Sequence, residues 1–108
     1  MKDLQTALRE WHRAKFPHAT EADIGLKLAE EAGEVCRALD RIHYAKSEQA
    51  AAPWLVNLTE EIGDVAIVLL VLCNRGGIEF EDVVRDRATE VMQRGQHAGA
   101  QEGPVLPS

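Results

Sequence analysis

A run of nine apolar residues at positions 65–73 constrains the fold of this 108-residue chain more than any other feature. The run is too short to cross a membrane, which takes about 20 residues. As a helix it spans about two and a half turns without a polar position, and a helix that is apolar all round is buried all round. Four helices with short connections rarely enclose one of their own number. We therefore expect a second copy of the chain to cover this helix, the alternative being a helix that one subunit hides by itself.

Apolar residues at steps of three and four predict helices along most of the chain and no strands. Thr20 and Asp23 have the spacing of a capping box, which predicts that a helix begins just after Thr20. Gly76 and Gly77 predict the end of the helix that carries the apolar run. The stretch 45–53, which is rich in Ala and contains Ser47 and Pro53, is interpreted as a loop or a frayed helix end. The four predicted helices cover residues 2–14, 21–44, 54–74 and 80–94.

These elements predict an all-α protein, a four-helix bundle completed by homo-oligomerisation, with one domain over residues 1–94. A chain of this length that is 45% hydrophobic can bury one modest core. Residues 95–108 combine Gly, Pro, Gln and Ala without any period, which is typical of a flexible tail.

The charge of the chain restricts its partners. The formal net charge is −6 and the pI is about 5.1, which argues against binding a nucleic-acid polymer because such binding needs a basic surface. A nucleotide substrate stays open, since a metal ion can screen its phosphates. The N-terminus is charged and lacks the apolar core of a signal peptide. We expect a soluble cytoplasmic protein with no membrane partner.

Two acidic clusters lie on the second and third predicted helices: Glu30, Glu31 and Glu34, and then Glu61 and Asp64. Residues three and four apart share one helix face, about 5–6 Å apart at Cβ. Both clusters border apolar positions, where an unpaired charge is costly. Solvated glutamates would be ordinary for one such cluster, but two facing clusters would repel each other unless a cation held them. We therefore predict a metal site formed by these five carboxylates.

The ligand type narrows the choice of metal. Di-iron bundle sites need Glu-x-x-His, and neither Glu31 nor Glu61 is followed by His three residues later. Carboxylates suit Mg²⁺, with Mn²⁺ as a substitute. Because Mg²⁺ on carboxylates usually shares the ion with substrate phosphates, we expect a phosphate ester or anhydride as substrate. A carboxylate outside the ligand set would accept the proton of the attacking water.

The segments 27–35, KLAEEAGEV, and 60–65, EEIGDV, resemble the EExxE…ExxD signature of the MazG-like, all-α nucleoside triphosphate pyrophosphohydrolases. The similarity covers about residues 1–94. It implies Mg²⁺-dependent hydrolysis of (d)NTPs to the monophosphate and pyrophosphate, by attack of water at the α-phosphorus, and assembly into dimers or dimers of dimers. It also implies that Glu30 or Glu31, together with Glu34, Glu61 and Asp64, holds the metal. One glutamate would activate the water, for which Glu31 and Glu34 are the candidates.

The resemblance also bears on substrate binding. Relatives often carry Lys, Asn and Arg on the last helix to hold phosphates; Arg87 and Arg94 match the first and third of these, whereas Val91 stands in the Asn position. Both arginines could equally be cations that suit the end of a helix. Lys27, one turn before the first acidic cluster, could hold a phosphate or form an ordinary ion pair. Trp11 could stack on a base or pack in the core.

Two other functions remain open at this point. One is a phosphoribosyl-ATP pyrophosphohydrolase, a relative with similar carboxylate chemistry. The other is a non-catalytic helical module that binds a partner or a metal. The acidic clusters favour an enzyme over the module, because a scaffold has no reason to place charge beside its core, given the desolvation cost.

Overall fold

The computed structural model describes residues 1–97, and all regular secondary structure in that part of the chain is helical. The helices follow in the order α1 (Lys2–Lys15), α2 (Glu21–His43), α3 (Glu48–Gly76) and α4 (Phe80–His97). The predicted all-α class is confirmed. Over these same residues, no helix is long and apolar enough to cross a membrane.

Two helix ends lie where the sequence places them. Asp23 N–H donates to Thr20 Oγ1 at 3.2 Å, and Thr20 N–H donates to Asp23 Oδ2 at 2.9 Å, so the predicted capping box begins α2. Gly77 ends α3 with a φ of 66°, in the left-handed region that residues with a Cβ seldom adopt. The connection to α4 is therefore a sharp turn at a fixed position.

The start of α3 differs from the prediction. The helix begins at Glu48, six residues before position 54, so the expected loop at 45–53 is wrong for most of its length. Ser47 caps the helix, because its Oγ accepts a hydrogen bond from Ala50 N–H at 3.0 Å, and serine is among the strongest N-cap residues. Pro53 lies inside the helix, where it removes one backbone hydrogen bond without ending the helix.

The end of α4 also lies beyond its predicted position. The helix continues to His97, so residues 95–97 are helical. The predicted flexible tail otherwise falls on residues 98–108, which are outside the described residues. The domain boundary at residue 94 stays a prediction.

α2 and α3 pack along each other as an antiparallel pair. Ile24 near the start of α2 packs against Val68 and Val71 near the end of α3. At the opposite end of the pair, the Arg41 guanidinium lies 5.5 Å from the centroid of the Trp54 ring. This arrangement brings the middle of α2 against the middle of α3, where the two acidic clusters lie.

The buried face of α2 differs in part from the apolar stripe that steps of three and four predict, which consists of Ile24, Leu28, Ala32, Val35, Leu39 and Ile42. Ala32 and Leu39, expected in the stripe, are exposed, whereas Glu31 and Ala38 are buried. Glu31 is only 8% exposed. It and Ala38 lie seven residues apart, about two turns, and so share with Ile24 the face that packs on α3. Because a hydrophobicity pattern does not count a glutamate as a packed residue, it assigned the core-facing position to Ala32 instead of Glu31.

α1 is anchored by a buried polar side chain, Gln5, which is 5% exposed. Its Nε2 donates to the Ile78 carbonyl at 2.8 Å, and its Oε1 accepts from Phe80 N–H at 3.0 Å. Its own backbone carbonyl accepts from Asn74 Nδ2 at 2.9 Å. One residue therefore ties α1 to the end of α3 and to the start of α4.

Much apolar surface stays exposed on the single chain. On α1, Leu4 and Trp11 are half exposed; on α3, Ile62 is 54% and Ile67 is 40% exposed. Leu70, by contrast, is almost fully buried. One chain therefore covers α3 only in part, even within the apolar run.

We expect Gln5→Leu to destabilise the fold by about 1–3 kcal/mol, because the Ile78 carbonyl and the Phe80 N–H both lose their partner. Urea unfolding followed by circular dichroism measures the change. Gln93→Leu is the matched control, since Gln93 is exposed on α4. Equal unfolding midpoints for the two variants would show that Gln5 does not anchor α1.

Candidate functional site

Three carboxylates from α2 and α3 meet where the two helices pack. Glu31 lies with Glu61 and Asp64, and one oxygen from each is within 4.8 Å of the others. Glu61 and Asp64 share a face of α3 because they are three residues apart, and Glu31 reaches them from the antiparallel helix. All donors in this carboxylate trio are oxygens, the ligands that hard divalent cations prefer. The trio could therefore hold a metal ion.

Within the trio, the negative charge of Glu61 is poorly compensated. Partial burial raises the pKa of the Glu61 carboxyl above its ordinary value of 4.5, and the neighbouring Asp64, Glu31 and Glu34 carboxylates raise it further. A cation placed among these groups would favour their ionised forms. The electrostatics, like the donor atoms, fit a bound divalent ion.

Glu34 lies beside the trio without belonging to it. The residue is half-buried, and its carboxylate is close enough to raise the pKa of Glu61. It follows Glu31 by three residues, so both side chains point toward α3. A proton acceptor must lie near the reacting water but outside the ligand set, and a carboxylate at the edge of a metal site has that position.

Lys27 forms an ion pair with Glu31 of the trio, and its side chain is half exposed to solvent. Its Nζ lies 3.1 Å from Glu31 Oε1 and 3.5 Å from Glu30 Oε1, and these contacts raise the pKa of the lysine, the hydrogen bond to Glu31 most. Glu30 is exposed and remains outside the trio. The predicted ion pair is therefore present. Because the Lys27 side chain is half exposed, the ammonium is free to turn toward a ligand.

Asn57 is a site residue that the sequence interpretation left unassigned. Its Nδ2 donates to Glu61 Oε1 at 3.4 Å. The two residues are four apart on α3, and polar pairs at that spacing commonly interact across one turn. Asn57 therefore orients Glu61, and its spacing from the second acidic cluster is the signal that could have identified it.

An apolar cavity of about 420 Å³ is linked to the trio through Lys27, which lines the cavity and contacts Glu31. Trp11 and Phe16 line it, with ring centroids 5.8 Å apart in an edge-to-face arrangement. Lys27 lines the same cavity, and so do Ile67 and Val68, which follow Asp64 by about one turn of α3. The volume is within the roughly 300–1,000 Å³ of small-molecule sites. An aromatic wall and a cation thus line one partly open space, and the same cation contacts Glu31 of the trio.

The two predicted phosphate ligands on α4 are not part of this site in the single chain. Arg87 pairs with Glu90 at 2.7 Å, and Arg94 is exposed. Within residues 1–97, α4 packs on α1 and α3 and makes no contact with α2. The structure therefore places Lys27 beside the trio and Trp11 in the wall of the apolar cavity, and it leaves both arginines away from the trio.

The raised pKa of Glu61 has a consequence for stability. Without metal, the folded state binds more protons than the unfolded state between pH 4.5 and the raised pKa, so this contribution to stability is lost as pH increases through that window. We expect the melting temperature of the metal-free wild type to decrease with pH relative to Glu61→Gln. Calorimetry of both proteins from pH 4 to 8 tests this, and parallel curves would contradict it.

A comparison with known proteins gives the family. The family model described as the MazG nucleotide pyrophosphohydrolase domain matches residues 19–98, which include α2, α3 and all three carboxylates of the trio. No curated protein and no solved structure matches the chain. Because the matched segment is 80 of the 108 residues, the chain belongs to the MazG nucleotide pyrophosphohydrolase domain family.

Proposed function

We propose that this protein is a Mg²⁺-dependent nucleoside triphosphate pyrophosphohydrolase that converts (d)NTPs to the monophosphate and pyrophosphate. The observation that carries the proposal is the carboxylate trio, with its oxygens within 4.8 Å, beside a cavity with an aromatic wall. A nucleotide has a part that suits each feature. Its polyphosphate binds a divalent cation, which suits the trio, and its planar base suits the aromatic wall. The family match independently supports pyrophosphohydrolysis of a nucleotide.

Glu31, Glu61 and Asp64 are the proposed ligands of Mg²⁺, for which Mn²⁺ is a substitute. Glu34 and the more exposed Glu30 are proposed to hold water molecules of the ion rather than to bind it directly. A cation held there would neutralise the polyphosphate and lower the pKa of a bound water. The buried position of Glu31 and the hydrogen bond from Asn57 to Glu61 support a site between α2 and α3.

Glu34 is the proposed proton acceptor for the water that attacks the α-phosphorus, with Glu31 as the other candidate. Lys27, released from its ion pair with Glu31, would bind a phosphate oxygen. Trp11 and Phe16 would stack on the base, and such stacking is worth about 1–3 kcal/mol per base without strict sequence preference. The cavity volume and its aromatic wall support this part of the proposal.

A homo-oligomer is the proposed working form. Apolar residues on α1 and α3 remain half exposed on the single chain, and exposed apolar surface of this extent usually marks an interface. Arg87 and Arg94 would then meet the phosphates of a site only through the neighbouring subunit. Light scattering at micromolar concentration tests the assembly, since a strictly monomeric mass would contradict it.

The deciding experiment is pyrophosphate release from a panel of NTPs, dNTPs and phosphoribosyl-ATP in the presence of Mg²⁺. We expect release from at least one nucleoside triphosphate and none after chelation with EDTA. Release from phosphoribosyl-ATP alone would replace the proposed substrate class. No release from any member would favour a non-catalytic helical module.

A further inference from the structure

A second cavity, of about 240 Å³, lies on the other side of His12 and Val71 from the apolar cavity, and both residues line both spaces. The second cavity differs in its chemistry. Three arginines line it, Arg9 and Arg13 from α1 and Arg75 from the end of α3. We call it the basic cavity.

The positive charge of the basic cavity is mostly uncompensated. Arg75 Nε lies 2.9 Å from Glu21 Oε1, the carboxylate that lines the same cavity. Arg9 and Arg13 form no ion pair with any residue in the part of the chain that the structure describes, and they are four residues apart on one face of α1. Like charges at that spacing destabilise a helix. In a protein of net charge −6, this concentration of guanidinium groups has no evident structural use.

Guanidinium groups are suited to phosphate, because their planar array of donors matches its oxygens in a bidentate arrangement. The carboxylate of Glu21 opposes an anion in the cavity, but its charge is already shared with Arg75. Because Glu21 neutralises Arg75, the positive charges of Arg9 and Arg13 are available to a ligand. His12 lies beside these two arginines.

The basic cavity is separate from the carboxylate trio. Arg75 follows Asp64 by eleven residues on α3, a separation of about 16 Å along the helix axis. The apolar cavity lies between the two. A triphosphate bound at the trio with its base in the apolar cavity therefore extends its phosphates away from the arginines. Any phosphate in the basic cavity belongs either to a second molecule or to a group attached beyond the base.

We propose that Arg9, Arg13 and Arg75 form a phosphate-binding site at the end of the apolar cavity that is remote from the carboxylate trio. The ligand is a phosphate-bearing molecule, either free or as the distal phosphate of a nucleotide in the neighbouring cavity. The site does not depend on the proposed hydrolysis, because phosphate binding is measured on the metal-free protein without turnover.

The first test is titration of inorganic phosphate into metal-free protein at constant ionic strength, followed by NMR of the arginine side chains and His12. We expect saturable binding that Arg9→Gln combined with Arg13→Gln weakens about tenfold or more. The matched control combines Arg37→Gln with Arg41→Gln, an arginine pair of the same spacing and charge on α2 that lies over Trp54. Shifts that do not saturate, or equal weakening in both double variants, would overturn the site.

The second test identifies the source of the phosphate. It compares KM for ATP and for phosphoribosyl-ATP, which carries a phosphate beyond its base, in the wild type and the Arg9/Arg13 double variant. An increase in KM for phosphoribosyl-ATP alone assigns the site to a distal phosphate of the substrate. Unchanged KM values, with inorganic phosphate binding lost, assign it to a separate anion. If no nucleotide is hydrolysed, the proposed function fails while the phosphate titration still decides the site.

Discussion

Glu61→Gln is expected to reduce pyrophosphate release by at least about 100-fold and to weaken Mg²⁺ binding in parallel. The substitution keeps the shape of the side chain but removes one of the three negative charges that lie within 4.8 Å of one another. Stopped-flow detection of pyrophosphate gives the rate, and isothermal titration with Mg²⁺ gives the affinity. Asp64→Asn removes a second charge of the trio and is expected to behave in the same way.

Glu60→Gln is the control for this experiment. Glu60 is the immediate neighbour of Glu61 and has the same chemistry, but it is exposed and lies outside the trio. Near wild-type activity in Glu60→Gln, together with its loss in Glu61→Gln, would locate the chemistry on one face of α3. Equal activities in the two variants would refute the assignment of the metal site.

Glu61→Gln, which is expected to impair metal binding and activity, should stabilise the metal-free fold. The pKa of Glu61 is raised by partial burial first and by the neighbouring carboxylates next, so the ionised side chain is destabilising where it lies. Glu61→Gln should therefore raise the melting temperature in EDTA and abolish the increase that Mg²⁺ gives the wild type. A general disruption of packing would lower both values, which separates a lost ligand from a damaged fold.

Sequence patterns predicted the helices well because the caps have a local origin. The capping box of Thr20 and Asp23 and the left-handed Gly77 depend only on residues within one turn. The start of α3 was predicted six residues too late because the stretch up to Pro53 was interpreted as a loop or frayed end, although a single proline removes only one hydrogen bond from a 29-residue helix. Local rules conflict at that point, and packing along α2 decides between them.

The site was predictable only in part. Helical spacing puts Glu61 beside Asp64 within one helix, but it cannot say which of the three α2 glutamates faces α3. In the structure, Glu31 is the buried glutamate of the three. It packs against α3, whereas the apolar pattern predicted that the neighbouring Ala32 would do so. The roles of Gln5 and of the basic cavity could not be predicted, because each depends on contacts between residues more than 50 positions apart.

Glu34→Gln is expected to lower kcat by about 100- to 10,000-fold, the usual range for removing a general base, while Mg²⁺ affinity stays within a few-fold of the wild type. The reason is the position of Glu34 beside the trio rather than in it. A carboxylate that coordinates a cation has lost much of its basicity to that bond, so the best acceptor for a proton is a neighbour that keeps its lone pairs. Glu34 is the half-buried carboxylate that meets this condition on α2.

Steady-state kinetics with Mg²⁺ titration separates the two roles of the α2 glutamates. A metal ligand, when removed, raises the Mg²⁺ concentration needed for half-maximal activity, and excess Mg²⁺ restores part of the rate. A proton acceptor lowers kcat at every Mg²⁺ concentration, and excess metal restores nothing. Glu30→Gln, which changes an exposed glutamate paired with Lys27, serves as the comparison. Recovery of Glu34→Gln at high Mg²⁺ would make Glu34 a ligand and leave Glu31 as the remaining candidate for the base.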